Sequence, residues 1–333
     1  MRPVPPVPVA VAAGFVVAAM LVATLWPLLA YTTSLACFGF AHVVVELRYV
    51  DGRFGRRLPR ALWLLTGVPL LGIVAVRGGR LVASYASDWP LRVELTLVAS
   101  MVLVGAALAW RWRPPVGVFG ALLGVVLLAG VVIAPIETLL VLAIGHNLTP
   151  LGFVVERAPA RARWRSLALG GLVFLGAPLL VASGAAGWAL ADVVDVDCRF
   201  FSAADLPQHL GVYLWPAWQQ TDIAVQMFSA AVCAQLLHYG AVLVWLPRAL
   251  GDDDTPSLRW GGPARFAAVV VVCAIGMAVQ FAVDFAGARV VYGLPAAVHA
   301  WLELPVLLAA LAMPSGGVGV TSTGEPAAAQ GQS

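Results

Sequence analysis

Apolar side chains run through this chain in long unbroken stretches, and polar residues gather in short punctuating segments instead of recurring on one face. Stretches such as VAVAAGFVVAAMLVATL and VGVFGALLGVVLLAGVVIA leave no polar face, which marks helices immersed in lipid rather than amphipathic helices covering a soluble core. Punctuation by Arg, Pro and Gly divides the chain into about ten segments of membrane-crossing length. They run Val9–Leu25, Thr33–Val50, Ala61–Val76, Val93–Trp110, Val116–Ala134, Ile136–Val155, Leu167–Ala191, Ile223–Trp245, Phe266–Phe285 and Tyr292–Met313. The third is short, and Pro135 separates the fifth from the sixth with almost no loop, so a re-entrant element is the alternative there. The expected fold class is all-α, a polytopic integral membrane bundle of about 9 to 10 helices.

Arginine placement gives an independent count, because loops on the cytoplasmic side are enriched in basic residues near span ends. With the N-terminus inside, the inner side collects Arg2, Arg48, Arg53, Arg56, Arg57, Arg60, Arg111, Arg113, Arg157, Arg161, Arg163, Arg165, Arg248, Arg259 and Arg265. Arg77, Arg80, Arg92, Arg199 and Arg289 remain outside. This asymmetry predicts a multi-pass protein of the cell membrane with both termini cytoplasmic. An acidic loop carrying Asp192, Asp195, Asp197 and Asp205 then falls outside. A cleaved signal peptide is the alternative for the first segment, since Arg2 precedes an apolar stretch ending in LLAYTTS. The Pro-rich start MRPVPPVPV and the pair Trp26-Pro27 favour an uncleaved anchor.

Composition agrees with this setting. Hydrophobic residues make up 61% of the chain and charged residues 11%, against about 25% charged in soluble domains. Residues 1–313 therefore read as one transmembrane domain, with no separate soluble catalytic unit. The tail from Pro314 to Ser333, rich in Gly, Ser, Thr and Ala, is expected to be disordered. Cys37, Cys198, Cys233 and Cys273 are scattered, which fits neither a disulfide framework nor a zinc ribbon. The positive charge is carried by arginine alone and forms no basic cluster interleaved with aromatics, so nucleic acid is excluded as a partner. Tryptophans sit at segment ends or in loops, as interfacial anchors do, except Trp301.

Against this apolar background the polar residues inside the segments stand out. His42 and Glu46 lie in FAHVVVELRY, His299 and Glu303 in AVHAWLELPV, His146 in LAIGHNLTP and His238 in QLLHYGAV. Ionisable groups at that depth are costly unless paired, hydrated or metal-bound, so they are candidate functional residues. A spacing of four puts each His/Glu pair on one helix face. At about 1.5 Å per residue from the outer end, His42 lies roughly 14 Å deep, Glu46 20, His146 15, His238 22, His299 10 and Glu303 16. The six fall within a slab of about 12 Å and are expected to converge on one centre.

The logic resembles that of carboxylate-bridged four-helix proteins, with the His-Glu spacing differing by one residue. Imidazole and carboxylate without thiolate suit iron, manganese or zinc. The candidate metal ligands are thus His42, Glu46, His146, His238, His299 and Glu303, with Asn147, Tyr239 and Trp301 as residues shaping the site. Singly, each has a plainer explanation: a lone buried histidine hydrogen-bonds a neighbouring helix, Glu46 pairs with Arg48 or Arg53, Asn147 caps a distortion before Thr149-Pro150, and Trp301 packs between helices. Glu94, Glu137 and Asp284 lie near segment ends, where hydration or Arg289 suffices. GDDDTP lacks calcium-loop spacing and reads as a solvated inner loop. His209, in DLPQHLGVYLWPAWQQ, belongs to an external interfacial segment and could line an entrance.

Four functions fit. The first is an integral-membrane oxidoreductase using non-haem iron, with zinc or manganese as alternatives, on a lipid-soluble substrate such as a fatty acyl chain, isoprenoid or carotenoid, drawing on an electron donor. The second is a redox carrier holding haem between histidines such as His42 and His146. The third is a proton-coupled transporter titrating His and Glu. The fourth is a structural protein whose polar groups lock helix packing.

Overall fold

A computed structural model describes residues 8–82, 87–251 and 254–313. All regular structure among them is helical. The helices are α1 Val9–Leu25, α2 Pro27–Phe54, α3 Arg60–Val82, α4 Trp89–Trp112, α5 Pro114–Ile133, α6 Pro135–His146, α7 Thr149–Arg157, α8 Arg163–Ala182, α9 Leu206–Leu210, α10 Ala224–Ala249, α11 Pro263–Val283 and α12 Phe285–Ala312, with a few single turns between α8 and α10. Proline opens α2, α5, α6 and α11. Its missing N–H costs nothing in a first turn, so the prolines of α2, α5 and α6 separate helices where almost no loop intervenes.

Among the described residues eight helices are long and apolar enough to cross a membrane, or up to nine if the bent α6–α7 pair is one span. That count differs from the expected ten at identifiable places. The sixth segment is broken at Asn147 and Leu148, bending by 42° between α6 and α7. The first keeps its expected bounds but has 17 residues, about 25 Å of helix against a hydrocarbon core of about 30 Å. The seventh begins at Arg163 and ends at Ala182, short of the expected Ala191. The expected tail from Pro314 lies outside the described residues.

Burial separates central from peripheral helices. Over their apolar windows α2 and α12 are 56% buried and α10 67%, whereas α11 is 11% buried and α8 17%. Helix α12 packs against α2, α3, α4, α5, α7 and α11, while α2 also meets α1, α10 and α11. Glycine permits close approach of α4 to α12: a Cβ on Gly105 would stand 2.7 Å from Pro305 Cα.

Polar clamps fix the bundle at two levels. Arg77 of α3 embraces Glu94 of α4 at 2.7–3.0 Å and donates to the Gly293 carbonyl of α12 at 2.8 Å. At the other level, Asp254 accepts from Arg53, Arg57 and Arg157 at 2.9, 2.7 and 3.0 Å, and Arg53 also pairs with Glu156 at 2.6 Å. The expectation of a solvated loop at GDDDTP fails for Asp254, whose side chain is 1% exposed; Asp252 and Asp253 lie outside the described residues. Burial alone would raise the Asp254 carboxyl, but the Gly251 amide and the guanidiniums of Arg53 and Arg157 override it and hold the group below its ordinary range. Cys37, Cys198, Cys233 and Cys273 are all free thiols.

Candidate metal centre

Four helices deliver the six candidate ligands to one place. His42 and Glu46 descend one face of α2, His299 and Glu303 one face of α12, His146 ends α6, and His238 comes from α10. Local sequence explains the presentation. His146 stands where α6 breaks: its carbonyl accepts from Thr149 Oγ1 at 2.8 Å, and the α7 helix restarts at Thr149-Pro150. His238 and Tyr239 are followed by a π-helical turn, Ala241–Trp245, a widening often found beside functional side chains. Pro295 and Pro305 flank the His299–Glu303 turn of α12 and remove backbone donors on either side of it.

One donor atom from each of His42, His146, His238 and His299 lies within 4.8 Å of all the others, and the same holds for Glu46, His146, His299 and Glu303. His42 Nε2 is 3.1 Å from His299 Nε2, His146 Nδ1 is 3.1 Å from Glu303 Oε2, and His238 Nε2 is 3.4 Å from Glu46 Oε2. Metal bonds of about 2.0–2.1 Å place neighbouring donors about 2.9–3.4 Å apart in octahedral or tetrahedral arrangements. The observed separations match the edges of such a polyhedron.

Hydrogen bonding makes the same point. Both oxygens of Glu46 and of Glu303, both ring nitrogens of His146 and of His238, and Nδ1 of His42 have no hydrogen-bond partner among the described residues. The His–Glu pairs are therefore close without being aligned as hydrogen bonds. His42, His299, Glu46 and Glu303 are at most 2% exposed and His238 is fully buried. Unsatisfied groups at such burial cost about 1–3 kcal/mol each, and a single shared partner could satisfy several of them at once. A divalent cation suits them, since it takes lone pairs from imidazole and carboxylate alike and offsets two anionic charges.

The remaining candidates divide. Tyr239 stacks on the His42 ring at 4.1 Å and 29°, forming one wall. Trp301 does not join it. Two residues along a helix turn the side chain about 200° away from His299, and its indole donates to Glu94 at 2.9 Å, completing the Arg77 clamp. The Asn147 side chain is also directed elsewhere: Nδ2 donates to the carbonyls of Ala143 and Ile144 at 3.2 and 3.3 Å, closing the end of α6. Both side chains thus make structural contacts of their own, and the Asn147 backbone also meets the His238 ring. Glu46 is paired with neither nearby arginine, since Arg48 lies over the Phe266 ring at 4.1 Å and Arg53 belongs to the Asp254 network. Glu94 is held by Arg77, not by hydration or Arg289, and Asp284 caps α12 through the Gly287 amide at 3.0 Å. The proline pair around His299 went unread in the sequence, although prolines inside an apolar segment were the available signal.

Comparison of the chain with known protein families, with characterised proteins and with solved structures finds no match.

Proposed function

We propose that this chain is a multi-pass protein of the cell membrane with about ten spans and both termini cytoplasmic, and that it is a metal-dependent oxidoreductase using non-haem iron on a lipid-soluble substrate such as a fatty acyl chain, isoprenoid or carotenoid. The observation that carries this reading is the convergence of four imidazoles and two carboxylates whose buried donor atoms lack hydrogen-bond partners. Iron, manganese and zinc all suit these donors; iron is favoured because a redox metal gives a use to a site sunk where lipophilic substrates dissolve. Bound there, iron would supply one-electron chemistry and activation of dioxygen delivered with an external electron donor.

The protein's own side chains have definite tasks. His42, His146, His238 and His299 hold the ion. Glu46 and Glu303, 3.4 Å from His238 and 3.1 Å from His146, would offset its charge. Tyr239 keeps His42 in place from one side. Apolar residues of α2, α10 and α12 exclude water, so charge changes at the site are felt in a low-dielectric surrounding. A haem between two of the histidines is disfavoured by packing: His146 and His42 have the rings of His238 and His299 within centroid distances of 4.6–5.4 Å, where a flat macrocycle would have to pass.

Elemental analysis of the full chain purified in detergent tests the reading. About one or two equivalents of iron are expected, without an intense Soret band, and His42→Ala and His299→Ala should each lose them. Protein from metal-replete cells that carries no transition metal would sink the proposal. That result would favour proton relay through the Glu46–His238 and Glu303–His146 pairs, whose own signature is pH-dependent flux in vesicles.

A further inference from the structure

A second group of unpartnered polar atoms lies at the opposite end of α2 from the Arg53–Asp254 network. There the His209 ring of α9 stands 5.6 Å from the Tyr31 ring of α2 and 5.7 Å from the Phe285 ring of α12. Beside it is a cavity of about 260 Å³ whose lining includes Ser202, Gln208, His209, Asp284, Phe285 and Arg289.

Its polar inventory is unbalanced toward donors. His209 is 4% exposed, and beyond a backbone contact with Ala204 its ring nitrogens have no hydrogen-bond partner among the described residues. Arg289 presents a buried Nη1 that also lacks one, while its guanidinium reaches the Tyr31 hydroxyl. The Asp284 carboxylate, also in the lining, caps α12 by accepting the Gly287 amide, and Asp205 pairs with Arg199. Burial first, and the Arg289 charge second, hold the His209 imidazole below its ordinary range, with the Ala204 backbone contact working against them.

We infer that this cavity binds an oxyanion, a carboxylate or phosphate, held by the Arg289 guanidinium and the His209 imidazole. The planar fork of arginine suits two oxygens of such a group, and the buried imidazole supplies a further hydrogen bond. At the small end of ligand-pocket volumes, the cavity accommodates a head group and not a whole lipid. Ten residues of α12 separate Arg289 from His299, about 15 Å along the axis, and eleven of α2 separate Tyr31 from His42, about 17 Å. The anion is thus no ligand of the deeper centre. If the proposed oxidoreductase reading holds, an amphiphile anchored here would direct its tail along α12 toward the histidines; the anion site itself does not depend on that reading.

Binding to the full-length protein in an uncharged detergent provides the test, with inorganic phosphate, dodecanoate and dodecanol as probes and thermal shift and calorimetry as readouts. Dodecanoate should bind at least about tenfold more tightly than dodecanol, the range expected for hydrogen bonds to a charged group. Arg289→Gln should abolish that preference, Arg289→Lys should keep part of it, and both should retain the parent's metal content. Phosphate binding as well as dodecanoate supports the site with a free anion as its ligand; dodecanoate alone supports it with a lipid head group. Equal binding of dodecanoate and dodecanol by the unmutated protein, or an undiminished preference in Arg289→Gln, overturns the inference. Absence of metal with the preference intact removes the deeper centre alone.

Discussion

Replacing Glu46 by leucine should move stability in opposite directions depending on metal. Glu46 is fully buried, and both its oxygens lack partners. Without metal, leucine removes an unsatisfied group costing about 1–3 kcal/mol and adds apolar contacts, so the metal-free variant should be more stable than the metal-free parent by about 2 kcal/mol. With metal, the change removes a donor. Binding free energies of about 10–16 kcal/mol shared among the six donors give about 2 kcal/mol each, or roughly thirtyfold in affinity. Were the carboxylate only to orient His238, the loss would still be about 10–100-fold. Thermal unfolding of chelator-stripped and iron-reloaded protein, beside a metal titration against a competing chelator, measures both quantities. Glu46→Leu should raise the melting temperature of the stripped protein by a few degrees and shrink the rise on reloading. A stripped variant that melts below the stripped parent, with iron affinity unchanged, would refute the idea that these oxygens await a cation.

Other substitutions probe the surroundings. Trp301→Phe deletes the hydrogen bond to Glu94 and should cost about 1–3 kcal/mol in thermal unfolding while leaving metal content unchanged; lost metal would return Trp301 to the site. Gly105→Ala forces a Cβ to within 2.7 Å of Pro305 Cα, two residues from Glu303, and should cost about 1–3 kcal/mol and lower metal occupancy together. Asp254→Asn leaves the charges of Arg53, Arg57 and Arg157 facing one another and should cost about 3–5 kcal/mol near neutral pH. Because the folded Asp254 carboxyl lies below its unfolded value of about 3.9, its contribution is fully present above that pH and is lost as pH falls through the lower folded value. The gap between parent and variant should therefore close only on acidification below about pH 3.9, and a gap that closes between pH 7 and 5 would contradict the depressed carboxyl.

Sequence alone determined the lipid-like character of the helices and which polar groups needed explaining. Unbroken apolar runs have one stable backbone solution away from water, and a histidine four residues before a glutamate fixes both on one helix face whatever the neighbours are. Tyr239 beside His238 was likewise legible as a candidate, and its ring stacks on His42. What the sequence left open depended on rotation and approach between helices. Nothing local says that Trp301, between two candidate ligands, turns toward Glu94, or that the Asn147 amide closes its own helix. Asp254 looked solvated because the arginines that bury it come from α2, the α2–α3 connection and α7, far away in the chain. The meeting of His42 with His299 likewise spans most of the chain. Helical periodicity assigns each side chain a direction around its own axis, and only packing against other helices decides what that direction faces.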